Sequence, residues 1–329
     1  MNRSVPVLLT LLLCACAGVQ TPLSPAGDQA TALHSLFLLM MIVCGGVYLA
    51  VLAGIAWSVL AARARQRQSA ANGNEKWLDR GLYIAAAVIV VGLTVLIVGS
   101  FFADRALIAA RDDDAMLVRV KGHQWWWRIE YRDPASGRLI ETANELHLPL
   151  GRTARVELAS ADVIHSFWIP NVAGKIDMIP GRRNIVDLTP RRTGWFRGQC
   201  AEFCGTQHAH MAFDVKIDAP AEFDAWLARQ SNPVPAPVPD LSRGAIVFLR
   251  TCGSCHSVRG TPAVGRAGPD LTHFASRRSI AAGTLPMTRG GIQGWLAQPQ
   301  ALKPGTSMPA VPLVPSDADA VAAYLETLW

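Results

Sequence analysis

Two stretches of the chain, residues 36–62 and 81–103, contain no charged side chain at all. At ~1.5 Å of rise per residue each outreaches the ~30 Å hydrocarbon core of a bilayer, and neither shows the polar face of a buried soluble helix. Two membrane-spanning helices are predicted. From 116 to 217 the pattern breaks into short β-rich runs: MLVRVKG, WWWRIEY, ELHLPL, TARVELA, VIHSFWI, NIVDLT and MAFDVKI. Asp133-Pro134, Gly137, Gly151, Pro180-Gly181, Pro190 and Gly194 punctuate them. Many short strands at this spacing predict an all-β sandwich or barrel of Greek-key type. PAEFDAWLARQ (220–230) reads as a short amphipathic helix, and SNPVPAPVP as an extended, semi-rigid spacer. RGAIVFLRTC and DADAVAAYLETLW then read as helices bracketing Gly/Pro-rich loops.

The predicted organisation is a signal segment over 1–16, two transmembrane helices within 30–103, a β domain over 104–230, a Pro-rich linker over 231–240 and a small α domain over 241–329. Charge orients it. The loop between the helices holds Arg63, Arg65, Arg67, Lys76 and Arg80 against Glu75 and Asp79, and residues 17–35 hold no Lys or Arg. The positive-inside rule puts that loop in the cytoplasm and everything after 104 outside, at the periplasmic or extracellular side of a bacterial plasma membrane. The apolar run VPVLLTLLLCACAG is too short to span and reads as a secretory signal. Its Leu13-Cys14-Ala15-Cys16 is similar to a bacterial lipoprotein cleavage box, with Cys16 as the lipidation candidate and an ordinary signal or anchor as the alternative.

The net charge of +6 is unevenly spread. Residues 104–230 balance 17 basic against 17 acidic side chains, whereas 241–329 carry 8 against 4, an excess suited to an acidic donor surface. No basic run interleaved with aromatics points to nucleic acid. Of seven cysteines, four fall in two pairs at ligand spacing, unlike the spread of a disulfide framework.

The first pair lies in Cys200-x3-Cys204-x3-His208-x2-Met211. Thiolate, imidazole and thioether together favour copper. Zinc is the rival, although it rarely recruits methionine, and a Cys200–Cys204 disulfide is the structural alternative. Two cysteines at this separation can bridge two metal ions that share one added electron, which suits electron transfer. Another imidazole is needed; His165 in VIHSFWIP, at the end of a predicted strand, is the candidate, with His123 and His147 as rivals.

GHQWWWRIEY (122–131), VIHSFWIPNVAGKIDMIPGRRN (163–184) and CAEFCGTQHAHM (200–211) resemble cytochrome c oxidase subunit II over roughly residues 30–228. The resemblance implies a cupredoxin-like barrel holding a dinuclear copper centre, CuA. It implies bridging thiolates from Cys200 and Cys204, imidazoles from His165 and His208, a weak thioether from Met211 and the backbone carbonyl of Glu202. It also implies a Glu202 carboxylate reaching a magnesium ion shared with subunit I, and Trp125, the first aromatic of its motif, as the electron entry point. His210 matches no family role. In an alternating strand Trp125 and Trp127 share one face and Trp126 takes the other, so Trp126 and Trp127 are read as structural. One departure concerns the mouth of the family's proton channel: Asn74 stands where the family has a glutamate, and Glu75 follows one residue later.

The second pair, Cys252-Gly-Ser-Cys255-His256, is a C-x-x-C-H, the attachment sequence of a c-type haem, in which the adjacent histidine becomes an iron ligand. With Gly244, Phe248, Gly268-Pro269-Asp270-Leu271 and a terminal helix, residues 241–329 resemble a class I cytochrome c. Met308 in GTSMP is the expected sixth ligand, Met287 the rival and His273 a loop residue; Met/His ligation raises the potential as an electron carrier requires.

Together these readings make the chain an electron-delivery subunit carrying electrons from haem c to CuA and onward. Its membrane segments are nearly free of histidine, His34 bordering the first, so oxygen chemistry belongs to another subunit. The expected partners are subunits I and III of a haem-copper oxidase and a donor such as a cytochrome c or a cytochrome bc complex. The Pro-rich tether raises the effective donor concentration at the copper to roughly millimolar. A quinol oxidase subunit would lack the copper ligands. A nitric-oxide or nitrous-oxide reductase module, or a membrane-anchored redox shuttle, are the remaining alternatives.

Overall fold

A computed structural model describes residues 18–65, 75–109, 114–133, 137–232 and 242–329. The signal segment with Cys16, Asn74 and residues 233–240 of the linker lie outside the described residues.

Helices α1 (Asp28–Arg65) and α2 (Glu75–Ala109) run several residues beyond the two uncharged windows at each end. Charged and polar flanks continue the helical hydrogen bonding where the apolar stretch stops. Large apolar side chains are exposed on many sides, including Ile42 at 72% and Ile97 at 69%, as a solvent of lipid allows. Within this pair Gly99 makes room for Leu39; a Cβ there would lie 2.7 Å from Leu39 Cδ2.

The β domain is two five-stranded sheets. One orders β3 (Leu139–Ala143), β2 (Trp126–Arg132), β1 (Met116–His123), β5 (Ala154–Ser160) and β8 (Asn184–Leu188); the other orders β4 (Glu145–Pro149), β10 (Ala212–Asp218), β9 (Gly194–Cys200), β6 (His165–Trp168) and β7 (Ile176–Met178). β1 pairs parallel with β5 and β10 with β4, the other neighbours antiparallel, giving the mixed crossovers of a Greek-key, cupredoxin-like sandwich. Alternation puts Val118, Val120, Ile129, Tyr131, Val156, Leu158, Phe213 and Val215 into one core. Helix α3 (Pro220–Ser231) seals it, with Trp226 edge-on to Tyr131 at 5.1 Å.

Strands β3, β7 and β9 are absent from the sequence reading. β9, GWFRGQC, is broken by two glycines and carries Arg and Gln, so its apolar signal is weak. Its register against β10, Phe196 opposite Val215 and Gly198 opposite Phe213, makes it a strand. A Cβ at Gly198 would fall 2.1 Å from Phe213 Cζ, so glycine there is a packing requirement. Trp125 also departs from expectation. It sits with Gln124 in the β1–β2 turn, outside either strand, so it does not share an alternating face with Trp127.

The α domain packs α4 (Arg243–Thr251) against α7 (Pro315–Leu325), with α5 (Arg289–Ala297) and α6 (Pro299–Leu302) between them in sequence and a two-stranded ribbon of β11 (Ser279–Ile280) and β12 (Leu285–Pro286). α5 and α6 lie where the sequence reading has only Gly/Pro-rich loops; the Thr288 hydroxyl caps α5 by accepting from Gly291 N. Ser242 caps α4 in the same way through Ala245 N. Phe248, Val321, Ala322 and Leu325 form the centre of this core.

The α4–α7 crossing depends on Gly244, where a Cβ would sit 2.1 Å from the Ala320 carbonyl oxygen and 2.9 Å from Tyr324 Cβ. Backbone on the facing helix cannot yield as a side chain can. Gly244→Ala should therefore destabilise the α domain by about 1–3 kcal/mol. Thermal unfolding of the full chain would show an earlier α-domain transition with the β-domain transition in place; an unmoved first transition would refute the packing argument.

Candidate metal centres

β6 and β9 pair antiparallel, Phe167 opposite Cys200, which brings His165 and Cys200 to one end of the sheet. His165 opens its strand instead of ending it. The loop leaving β9 returns as β10, pinned by Cys200 N donating to Met211 O at 2.9 Å and Ala201 N to Ser166 O at 3.0 Å. Gly205 adopts φ +115° beneath the Trp125 ring, where a Cβ would be 3.0 Å from Cζ2. Conformation and space both demand glycine there.

The ligand-type atoms converge. The Cys200 and Cys204 sulfurs stand 3.7 Å apart, unbonded. Cys200 Sγ is 3.8 Å from His165 Nδ1 and 3.2 Å from the Glu202 carbonyl oxygen. Cys204 Sγ is 3.6 Å from His208 Nδ1 and 3.8 Å from Met211 Sδ. His165, Cys200, Cys204 and Met211 are buried, and His208 is half-buried.

The two thiols oppose each other's ionisation. The hydrogen bond with Cys204 holds Cys200 well below its ordinary value, while the Cys200 thiolate and burial push the Cys204 thiol up. Ionising both sulfurs here requires compensating cations, and the surrounding donors are soft. That donor set fits copper.

Asp162 is a site residue that the sequence reading missed. Its Oδ1 lies 2.7 Å from His165 Nε2, and it accepts from the Gln124 and Val163 amides, each at 2.7 Å. Burial alone would raise this carboxyl, but these bonds outweigh it and hold it below its ordinary value. With Nε2–H given to Asp162, the Nδ1 lone pair of His165 faces the sulfurs. The only signal available in sequence was an acidic residue three positions before a candidate ligand.

The rival histidines lie elsewhere. His147 Nδ1 is 2.7 Å from Asp218 Oδ2 and its Nε2 3.2 Å from Glu145 Oε1, with the ring stacked 4.0 Å from Trp226. Burial lowers its pKa, but the hydrogen bonds to the two carboxylates outweigh burial and raise it, favouring the protonated ring. His123 stacks on Trp126 at 4.4 Å; burial, helped by Arg128, lowers it to about 4. His210 Nδ1 lies 2.8 Å from Gln207 Oε1, away from the sulfurs.

Cys252, Cys255, His256 and Met308 line one cavity walled by Phe248, Leu271, Phe274, Ile292, Trp295 and Leu296. The His256 Nδ1–H donates to Pro269 O at 2.8 Å, leaving Nε2 as the free ligand atom. Burial lowers the pKa of this imidazole and keeps it neutral, as iron ligation needs. Gly268 is required, since a Cβ would lie 2.5 Å from His256 Cε1. An apolar cavity with two thiols, an imidazole and a thioether on its wall fits a haem. Met287 packs on the core and is not among the cavity-lining residues. His273 lies between the Trp329 and Asn232 carbonyl oxygens, at 2.6 and 3.1 Å.

The cavity is not walled by the α domain alone. Gln124, Trp125, Trp126 and Asn144 of the β domain also line it. Trp125 Nε1 donates to the Cys204 carbonyl at 3.0 Å, so one side chain touches both the cavity and the cysteine loop.

Residues 133–218 match the family model described as cytochrome c oxidase subunit II, periplasmic domain, and residues 241–329 match cytochrome c. A cytochrome c oxidase subunit 2 of Alkalihalophilus pseudofirmus is 35% identical over 99% of this chain and 97% of its own length. The Bacillus sp. subunit 2 is 35% identical over 66% of this chain and 64% of its own length. A solved structure, the periplasmic domain of subunit II of cytochrome oxidase of Bradyrhizobium japonicum, is 31% identical, with a TM-score of 0.34 over 37% of this chain and 96% of that one.

Asp162→Ala frees the His165 ring and its tautomer. Copper affinity of the protein, measured by competition with a chelator, should fall by about 10–100-fold. Wild-type affinity would remove Asp162 from the site.

Proposed function

The chain belongs to the cytochrome c oxidase subunit 2 family, and from that premise we propose that it is the electron-entry subunit of a bacterial haem-copper oxidase. In this role it passes electrons from haem c to a dinuclear CuA centre and on to a catalytic subunit I, where O2 is reduced to water. The single observation that carries the route is Trp125, whose ring lines the haem cavity while its indole N–H donates to the Cys204 carbonyl.

Cys252 and Cys255 would attach the haem through thioether bonds, with His256 and Met308 holding its iron. Cys200 and Cys204 would bridge two copper ions, completed by His165, His208, Met211 and the Glu202 carbonyl. When bound, these groups supply one-electron carriers that change charge with little rearrangement. The protein's part is to hold them in place: Asp162 orients His165, Pro269 O orients His256, and Trp125 fills the space between cavity and loop so that water does not.

Glu202 is half-buried on the cysteine loop, and its carboxylate would join the magnesium site at the subunit I boundary. Beside it Phe203 is 75% exposed, and Val163 and Ile164, next to His165, are also exposed. Apolar side chains left bare around a buried metal loop suit coverage by subunit I. The membrane helices α1 and α2 anchor the chain, with both redox domains on the periplasmic side. The basic surplus of residues 241–329 suits an acidic donor, a cytochrome c or the cytochrome of a bc complex, and subunit III completes the assembly.

The complex purified from native membranes should contain haem c together with oxidase haems; their absence would sink the oxidase reading. Cys200→Ser or Cys204→Ser should abolish the near-infrared band of the dinuclear copper and spare the haem c spectrum. A surviving band would refute the bridging assignment.

Met308→Ala should remove the sulfur-to-iron absorption at the red end of the haem spectrum. Loss of that absorption in Met287→Ala instead would reassign the ligand.

A further inference from the structure

Lys303 follows α6 in the α domain and is only 2% exposed. Its ammonium donates to three carbonyls: Ala281 O at 2.9 Å within its own domain, and Trp125 O at 2.8 Å and His210 O at 2.7 Å across the seam. Three acceptors use all three of its N–H bonds, and none of them is a carboxylate. None of its three bonded partners is charged, and burial lowers Lys303 to about 7, with Cys204 opposing the shift. An ammonium in such a place contributes little net stability compared with an apolar side chain of its size. What it supplies is a three-way geometry that no hydrocarbon can reproduce.

The two acceptors across the seam are not arbitrary. One is the carbonyl of Trp125, whose ring lines the haem cavity and whose indole reaches Cys204. The other is the carbonyl of His210, the residue before Met211 on the cysteine loop. Neighbouring contacts close the same seam: Gln207 Nε2 donates to Pro304 O at 2.9 Å, and Gly305 passes under Trp125, where a Cβ would be 3.5 Å from the ring. A single side chain of the α domain is thus bonded to both ends of the link between cavity and metal loop.

We propose that Lys303 is a positioning residue that locks the haem domain onto the cysteine loop, so that electrons cross within the chain from one fixed geometry and not from a tethered domain that docks and undocks. The inference rests on the electron-entry role given above.

The test uses the full complex with both centres loaded. Wild type and Lys303→Met, which keeps volume and loses all three donors, are compared by flash photoreduction of haem c, following electron arrival at the copper. The two optical bands should be retained in the variant, the intramolecular rate should fall by about tenfold or more, and it should become sensitive to solvent viscosity. Amide exchange over 206–212 and 300–306 should accelerate together. A variant with intact bands and the wild-type rate overturns the lock. If the variant loses either band, the wild type decides alone: a viscosity-independent rate supports the lock, and a viscosity-dependent one overturns it. A fully loaded wild type with no haem-to-copper transfer would overturn the electron-entry reading itself, and the lock with it.

Discussion

Two sulfurs held 3.7 Å apart inside a protein set the terms for everything around them. Neither can leave: Cys200 ends β9 with its N donating to Met211 O, and the Cys204 carbonyl accepts from Gln124 Nε2 and Trp125 Nε1. Both cannot be negative together without a cation between them, since the low-dielectric surroundings magnify their repulsion. The loop is therefore built as half of a metal site. The other half is supplied by the register of β6 against β9, which delivers His165, and by the turn that delivers His208 and Met211. The carboxylate of Asp162 sits one shell further out, where it orients an imidazole without competing for the metal.

The polar chemistry of the two domains divides along the same logic. In the β domain His147 is held between the carboxylates of Glu145 and Asp218. Glu145 also accepts from Arg278 N of the α domain at 2.9 Å, so this cluster bridges the domains too. Around Lys303 the acceptors are carbonyls. A carboxylate there would add a second fixed negative charge to that of Asp162; a carbonyl accepts a hydrogen bond and adds only a dipole. Lys303 among three carbonyls is the result.

Much of this was legible in the chain. The uncharged runs, the Cys200–Met211 spacing and CGSCH point to long apolar helices, a soft-donor loop and a cytochrome c domain, because each is a local pattern with few other physical uses. The strands β3, β7 and β9 were not legible, since their identity comes from partners and not from their own alternation. Gly198 is typical: only the Phe213 ring facing it explains the residue. Asp162 and Lys303 were hidden for a related reason. One acidic residue near a histidine and one lysine in a basic domain carry no signal until the fold sets their neighbours beside them.

Trp125 shows what such a misreading costs in mechanism. As one member of a strand it would alternate with Trp126 and share a face with Trp127, which is wholly buried in the β-domain core. A tryptophan on that face would be packing, insulated from the α domain by the sheet itself. In the turn between β1 and β2 the constraint of alternation lapses, and the ring can lie against a second domain while its N–H turns back to Cys204 O. The turn position lets one residue belong to both sites. It also makes the residue's placement depend on whatever holds the turn, and the turn's own carbonyl is held by Lys303 of the α domain.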